Sequence, residues 1–113
     1  MTLKEALKAC VDLWAELAKT GNQRKPAGAD QYLFGCPMCS YVKESYGEVG
    51  YDQADVAVCA DVCPMKEVWG NSNGCLGEGS PYRAWAWDHL DREHLKLKAA
   101  EIRDGAQRLL DAL

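Results

Sequence analysis

Five of the six cysteines in this 113-residue chain lie within a stretch of forty residues. The five are Cys36, Cys39, Cys59, Cys63 and Cys75. Zn²⁺ prefers four ligands in a tetrahedron, and a C-x2-C turn places two thiolates on one side of the ion. The spacing therefore predicts a structural zinc site that includes Cys36 and Cys39, with four of the five thiols as ligands.

The short length of the chain explains why a metal site would help it to fold. A chain of 113 residues buries a limited fraction of its surface, so a metal or a cross-link is a plausible supplement to its core. The first residues have no apolar signal region, and no stretch is long enough to span a membrane. We therefore expect a cytoplasmic protein, in which clustered cysteines favour metal or redox chemistry over disulfides.

Two other chemistries use thiols in similar patterns. An iron–sulfur cluster also takes thiolates, and proline after a ligand, as at Pro37 and Pro64, recurs in such sites, but the compact ferredoxin spacing is absent. Residues 35–39, Gly-Cys-Pro-Met-Cys, look like a glutaredoxin active site. That chemistry needs the first cysteine at a helix N-terminus, whereas the Gly- and Tyr-rich residues 40–52 predict an irregular hairpin. Zinc is the preferred prediction.

Both ends of the chain carry helix signals. Thr2 and Glu5 form a capping box, and Gly21 suits a left-handed C-cap. Ser80-Pro81 begins a second helical region, which has a break or bend near Asp91. Each region has an apolar stripe at helical spacing. The first consists of Leu3, Leu7, Cys10, Trp14 and Leu17; the second consists of Leu95, Ala99, Ile102, Ala106, Leu109 and Leu113.

These signals predict a mainly α fold, a small single domain over residues 1–113. It has an N-terminal helix (1–21), a loop-rich, zinc-stapled cysteine centre (32–79) and a helical tail (80–112). The terminal helices pack antiparallel or present a seam to a second copy, forming a homodimer. Cys10 lies on the first stripe, so we expect it to be a buried, unreactive thiol.

Composition and motifs argue against several functions. The net charge of −4 and the pI near 5.1 do not suit a protein that holds a phosphate backbone, so nucleic acid is not the expected partner. His89 and His94 are five residues apart and share no helix face. The sequence contains no nucleotide-binding or metalloprotease motif. We predict no catalytic residues and no enzymatic activity.

The densest aromatic patch is the segment 82–87, Tyr-Arg-Ala-Trp-Ala-Trp. Trp85 and Trp87 are two residues apart, so on a helix they point to different sides. We expect one to pack over the metal centre and the other to be exposed beside Arg83, a composition typical of binding hot spots. Arg83, Trp85 and Trp87 are therefore the candidate interaction residues.

The order of CPxC, CP, Trp, Cys and SPYxxW over residues 36–85 resembles small uncharacterised cysteine-rich proteins of tailed bacteriophages and prophages. In those proteins the second pair is C-x2-C, whereas Cys59 and Cys63 are separated by three residues here. The resemblance implies a bacterial host cytoplasm and an accessory protein that acts on a host defence or replication protein. A non-enzymatic, zinc-binding interaction protein is the favoured hypothesis; the alternatives are a nucleic-acid-binding zinc module and a small-ligand-binding protein.

Overall fold

The computed structural model describes residues 1–32, 35–46, 62–70 and 74–113, and it confirms a mainly helical fold. The α-helices whose bounds it defines are α1 (Leu3–Thr20), α2 (Pro37–Tyr46), α3 (Lys66–Trp69), α4 (Pro81–Trp87) and α5 (Arg92–Asp111). Two short 3-10 helices cover Ala27–Gln31 and Gly74–Leu76. The hairpin predicted for residues 40–52 is wrong for 40–46, which belong to α2; residues 47–52 lie outside the described ranges.

Helix α1 begins and ends where its capping residues predict. The Thr2 hydroxyl accepts a hydrogen bond from the Glu5 amide at 3.1 Å, and the Glu5 carboxylate accepts one from the Thr2 amide at 2.9 Å. This reciprocal pair satisfies two amides that the helix itself leaves unbonded. Gly21 ends the helix at a φ of 72°, where a side chain would be strained.

Helices α1 and α5 pack antiparallel and form the main contact of the described fold. Gly21, just after α1, lies against Arg92, the first residue of α5: a Cβ at Gly21 would clash with Arg92 Cγ. The end of one helix therefore meets the start of the other. The predicted break lies at Asp91, whose carboxylate caps α5 by accepting from the His94 amide at 2.9 Å.

Each of the two helices buries the face that carries its predicted apolar stripe, except for the residues at the outer end of the stripe. Helix α1 buries Ala6, Leu7, Cys10, Leu13, Trp14 and Leu17. Helix α5 buries Leu95, Ala99, Ile102, Gly105 and Ala106.

Helix α4 carries the aromatic part of the core. Ser80 accepts a hydrogen bond from the Tyr82 amide at 3.1 Å, and Pro81 occupies the first turn, as predicted. Trp85 is 3% exposed and meets Trp14 edge to face, with ring centroids 4.9 Å apart. Tyr82 lies beside both rings at about 6 Å. The aromatic segment thus joins α4 to α1 through edge-to-face contacts, the geometry that aromatic pairs prefer.

Helix α3 is a single turn held by its apolar side chains. Trp69 is 4% exposed and meets Tyr82 with ring centroids 6.2 Å apart. Val68 lies against the backbone of α5 at Gly105, where a Cβ would stand 2.6 Å from Val68 Cγ2. Trp69 and Val68 therefore fix α3 to α4 and α5.

The loop after α1 is more regular than its sequence predicts. Residues 22–30 contain Pro26 and Gly28, residue types that favour a loop, but Ala27–Gln31 form a 3-10 helix. Ala29 explains this turn, because it is 4% exposed and its amide donates to the Pro26 carbonyl at 2.9 Å. Burial of this small side chain holds the segment against the core and positions Lys25 before it.

The radius of gyration is 13.0 Å, close to the ~13 Å of a compact domain of about 100 residues. No helix in the described ranges is long and apolar enough to cross a bilayer.

Candidate thiol site

Cys36 and Cys39 meet at the start of α2. The helix begins at Pro37, a favoured residue for the first helical position. The Cys36 carbonyl accepts from the Ser40 amide at 3.3 Å, so Cys36 flanks the first turn. The Cys39 side chain then donates a hydrogen bond to the Cys36 sulfur. The C-x2-C motif therefore places two thiols side by side.

The surroundings of Cys36 favour its thiolate. Hydrogen bonding from the Cys39 side chain is the largest effect that lowers the pKa of Cys36, to about 7. The Cys39 amide and the positive charge of Lys25 act in the same direction, while burial opposes them. Because the thiolate is the form that binds metals and attacks disulfides, this thiol is prepared for either chemistry.

Lys25 and Tyr82 form a polar pair beside these thiols. The Lys25 ammonium donates to the Tyr82 hydroxyl at 3.0 Å. Burial disfavours the charged form of Lys25, yet Tyr82 and the thiols of Cys36 and Cys39 outweigh burial and raise its pKa. Burial raises the pKa of Tyr82, and so do the charges of Cys36 and Cys75, while Lys25 opposes them.

Three of the five candidate ligands, Cys36, Cys39 and Cys75, therefore lie close enough to act electrostatically on one Lys–Tyr pair. We call this group, Cys36, Cys39 and Cys75 with Lys25 and Tyr82, the thiol cluster. The C-x2-C motif predicts that two of these thiols, Cys36 and Cys39, lie close together. Tyr82 belongs to the aromatic segment 82–87, but the sequence does not predict its contact with Lys25, because only the fold brings a loop lysine and an α4 tyrosine to the start of α2.

The structure says less about the other two candidate ligands, Cys59 and Cys63. Cys63 is 6% exposed and precedes α3, while Cys59 lies outside the described ranges. Within the described ranges, no group of three or more His, Cys, Asp or Glu side chains is arranged to hold a metal ion. The adjacent sulfurs of Cys36 and Cys39 fit one half of a tetrahedral thiolate site. The other half would have to come from Cys59, Cys63 and Cys75.

Cys10 is buried, as the apolar stripe predicts. It is 2% exposed, and burial raises its pKa well above the usual value, with the charge of Cys36 adding to the effect. The sequence did not predict its proximity to Cys36. Cys10 is therefore a neutral thiol of the core beneath the ionisable pair, and we assign it no ligand role.

The candidate interaction residues divide between surface and core. Trp87 is 56% exposed, and the Arg83 guanidinium lies over its ring, 5.1 Å from the centroid. Trp85 points inward, and its indole nitrogen has no hydrogen-bond partner among the described residues. One tryptophan is thus inside and the other outside, as the spacing of two predicts. Arg83 and Trp87 are available for contact, while Trp85 supports them from the core.

The two histidines and the leucines at the end of α5 lie at or near the surface. His94 is exposed and lies 2.7 Å from Asp91 through Nδ1, at the cap of α5. His89 is exposed as well. At the end of α5, Leu109 and Leu110 pack against the core while partly exposed, and Leu113 is 64% exposed.

Comparison with known proteins identifies no relative of this chain. No protein-family model, no curated protein and no solved structure matches this chain.

Proposed function

We propose that this chain is a non-enzymatic protein-binding module whose cysteine-rich centre is held together by one structural zinc ion. The observation that carries the proposal is the contact between the side chains of Cys36 and Cys39 at the start of α2. Two adjacent thiols, one of them with a pKa of about 7, are what a metal needs for its first two ligands.

The thiol cluster also supplies a counter-charge. Zn²⁺ bound by four thiolates carries a net negative charge, and Lys25 would offset part of it from its place beside Cys36 and Cys39. Bound zinc would supply a cross-link whose binding free energy contributes to folding. Cys36 and Cys39 would hold it on the α2 side, and two of Cys59, Cys63 and Cys75 would hold it on the other.

The protein-binding part of the proposal depends on Trp87 and Arg83. A tryptophan that is 56% exposed beside a stacked arginine matches the composition of residues that dominate binding energies. The resemblance to phage proteins favours a partner in the bacterial host cytoplasm, such as a defence or replication protein. A second copy of the chain is the alternative partner.

Affinity capture from bacterial lysate tests this surface. Trp87→Ala removes the exposed ring, and Leu97→Ala is the matched control, because Leu97 is 60% exposed on a different helix. We expect one protein to be retained by the wild type and by Leu97→Ala, and lost by Trp87→Ala. Equal retention by both variants would contradict the assignment of the surface.

A dithiol redox site is the second candidate function, because Cys36 immediately precedes a ten-residue helix. A dithiol redox site needs a helix after its first cysteine, and the sequence did not predict that helix. In such a site the Cys36 thiolate attacks a disulfide and one thiolate leaves; Cys39, after losing its proton, then attacks Cys36 and releases the second thiol. The protein is oxidised to a disulfide, and the substrate disulfide is reduced to two thiols.

Equilibration with glutathione buffers separates the two candidates. A metal-free, folded protein that forms a reversible Cys36–Cys39 disulfide near the range of known oxidoreductases, about −270 to −120 mV, would favour the redox site. A folded protein with bound zinc and no such disulfide would favour the structural site. Cys39→Ser provides the control, because it should trap a mixed disulfide with glutathione at Cys36 only if the redox chemistry operates.

A further inference from the structure

An open groove runs between α1 and the 3-10 helix that follows it. Its volume is about 470 Å³, within the ~300–1,000 Å³ of small-ligand sites. Its apolar lining comes from Ala9 and Leu13 on one side and from Pro26, Ala29 and Tyr32 on the other. Of the candidate metal ligands that the structure describes, Cys36, Cys39, Cys63 and Cys75, none lines it.

The rim of the groove is acidic. Glu5, Asp12 and Glu16 contribute carboxylates, against the single ammonium of Lys8. Glu5 is engaged in the helix cap, and its hydrogen bonds with Thr2 keep its pKa low. Asp12 and Glu16 lie one turn apart on the same face of α1, and neither makes an ion pair or hydrogen bond within the described part of the chain.

We propose that this groove binds a cationic amphipathic peptide segment of a partner protein. An apolar side chain of the segment would lie against the half-buried Ala9, Pro26 and Tyr32, and a lysine or arginine would pair with Asp12 and Glu16. The charge of the rim selects against nucleic acid, since unpaired carboxylates repel phosphates. It does not indicate a metal site, because no described cluster of carboxylates is arranged for one.

This inference goes beyond the proposed function, because it names a second binding surface and the chemistry of the segment that would occupy it. It uses a surface other than the one formed by Arg83 and Trp87, and it is independent of zinc. Metal content and groove binding can therefore fail separately.

The test uses the full-length protein and a labelled ten-residue peptide of alternating arginine and leucine. Its glutamate–leucine and arginine–serine counterparts are the peptide controls. Asp12→Asn combined with Glu16→Gln removes the two unpaired charges. Glu67→Gln combined with Glu78→Gln makes the same change in net charge at exposed positions outside the groove. Fluorescence anisotropy measures binding, and amide chemical shifts locate it.

We expect only the arginine–leucine peptide to bind and to shift the amides of Ala9, Asp12 and Tyr32. Removal of the two rim charges should weaken binding about fivefold, the range expected of two exposed charge pairs, while the matched control leaves it unchanged. Equal weakening by both double variants would show attraction to net charge alone and would overturn the proposal. Absence of binding, or shifts confined to other surfaces, would overturn it too.

Discussion

The Lys25 ammonium lies 3.0 Å from the Tyr82 hydroxyl and joins the loop after α1 to α4 directly beside the paired thiols. Since the charge of Lys25 helps to lower the pKa of Cys36, this contact links the fold of the loop to the reactivity of the site. The consequence is measurable in metal-free protein, where no ion competes for the thiolate.

Alkylation by iodoacetamide should follow the ionisation of Cys36. Only the thiolate reacts, so the rate should rise with pH and reach half its maximum near pH 7, the lowered pKa of Cys36. Lys25→Met should move this midpoint to higher pH, whereas Lys19→Met, in the last turn of α1, should leave it in place, because Lys19 is not among the groups that act on Cys36. Cys10 should stay unmodified throughout. Peptide-resolved mass spectrometry measures each rate, and a wild-type midpoint above pH 8.5 would refute the expected ionisation.

Gly105 should not tolerate a side chain. A Cβ there would stand 2.6 and 2.7 Å from the two methyl groups of Val68, so Gly105→Ala should lower the free energy of unfolding by about 1–3 kcal/mol through overpacking. Adding Val68→Ala should recover much of this loss, because the two sites contact each other. Gly28→Ala is the control, since no atom lies within 4 Å of its Cβ position. Chemical denaturation measures the wild type, the two single variants at these positions, their double variant and Gly28→Ala, and purely additive effects would contradict the packing.

Trp85 and Trp87 should respond oppositely to truncation. Trp85 is 3% exposed, and Trp85→Ala should cost about 3–5 kcal/mol of unfolding free energy. Trp87 is 56% exposed, and Trp87→Ala should change stability by no more than about 0.5 kcal/mol. Thermal and urea unfolding separate the two. A strongly destabilised Trp87→Ala protein would mean that its ring serves the core and not an interface.

At the end of the chain, only the residues after Leu110 should be dispensable for stability. Leu113 is 64% exposed, so a chain that ends at Leu110 should unfold at the temperature of the full chain. A chain that ends at Arg108 also lacks Leu109 and Leu110, which pack against the core, and it should melt several degrees lower. If this shorter chain keeps its melting temperature but loses dimerisation or partner binding, the two leucines form an interface instead.

The sequence predicts the terminal helices well because their signals are local. The capping box at Thr2 and the glycine at position 21 each act on the residues beside them. The same holds for the serine at position 80 and the break at Asp91. The stripes likewise predict which faces are buried, since burial of a helix follows its own period.

The thiol site is predictable only in part. The C-x2-C spacing brings Cys36 and Cys39 together without help from the rest of the chain. The helix after them was missed, because tyrosine and glycine content in residues 40–52 suggested a hairpin, while residues 37–46 form α2. The contact between Lys25 and Tyr82 was missed because it depends on long-range packing. The acidic groove was missed for the same reason.

Metal content is the most direct test of the account. Protein purified without added metal should contain one zinc per chain by inductively coupled plasma mass spectrometry. Cys36→Ser and Cys39→Ser should abolish stoichiometric binding and destabilise the centre, while Cys10→Ser should retain the metal. A folded wild-type protein without stoichiometric zinc, or a brown protein that contains iron, would contradict the structural zinc site.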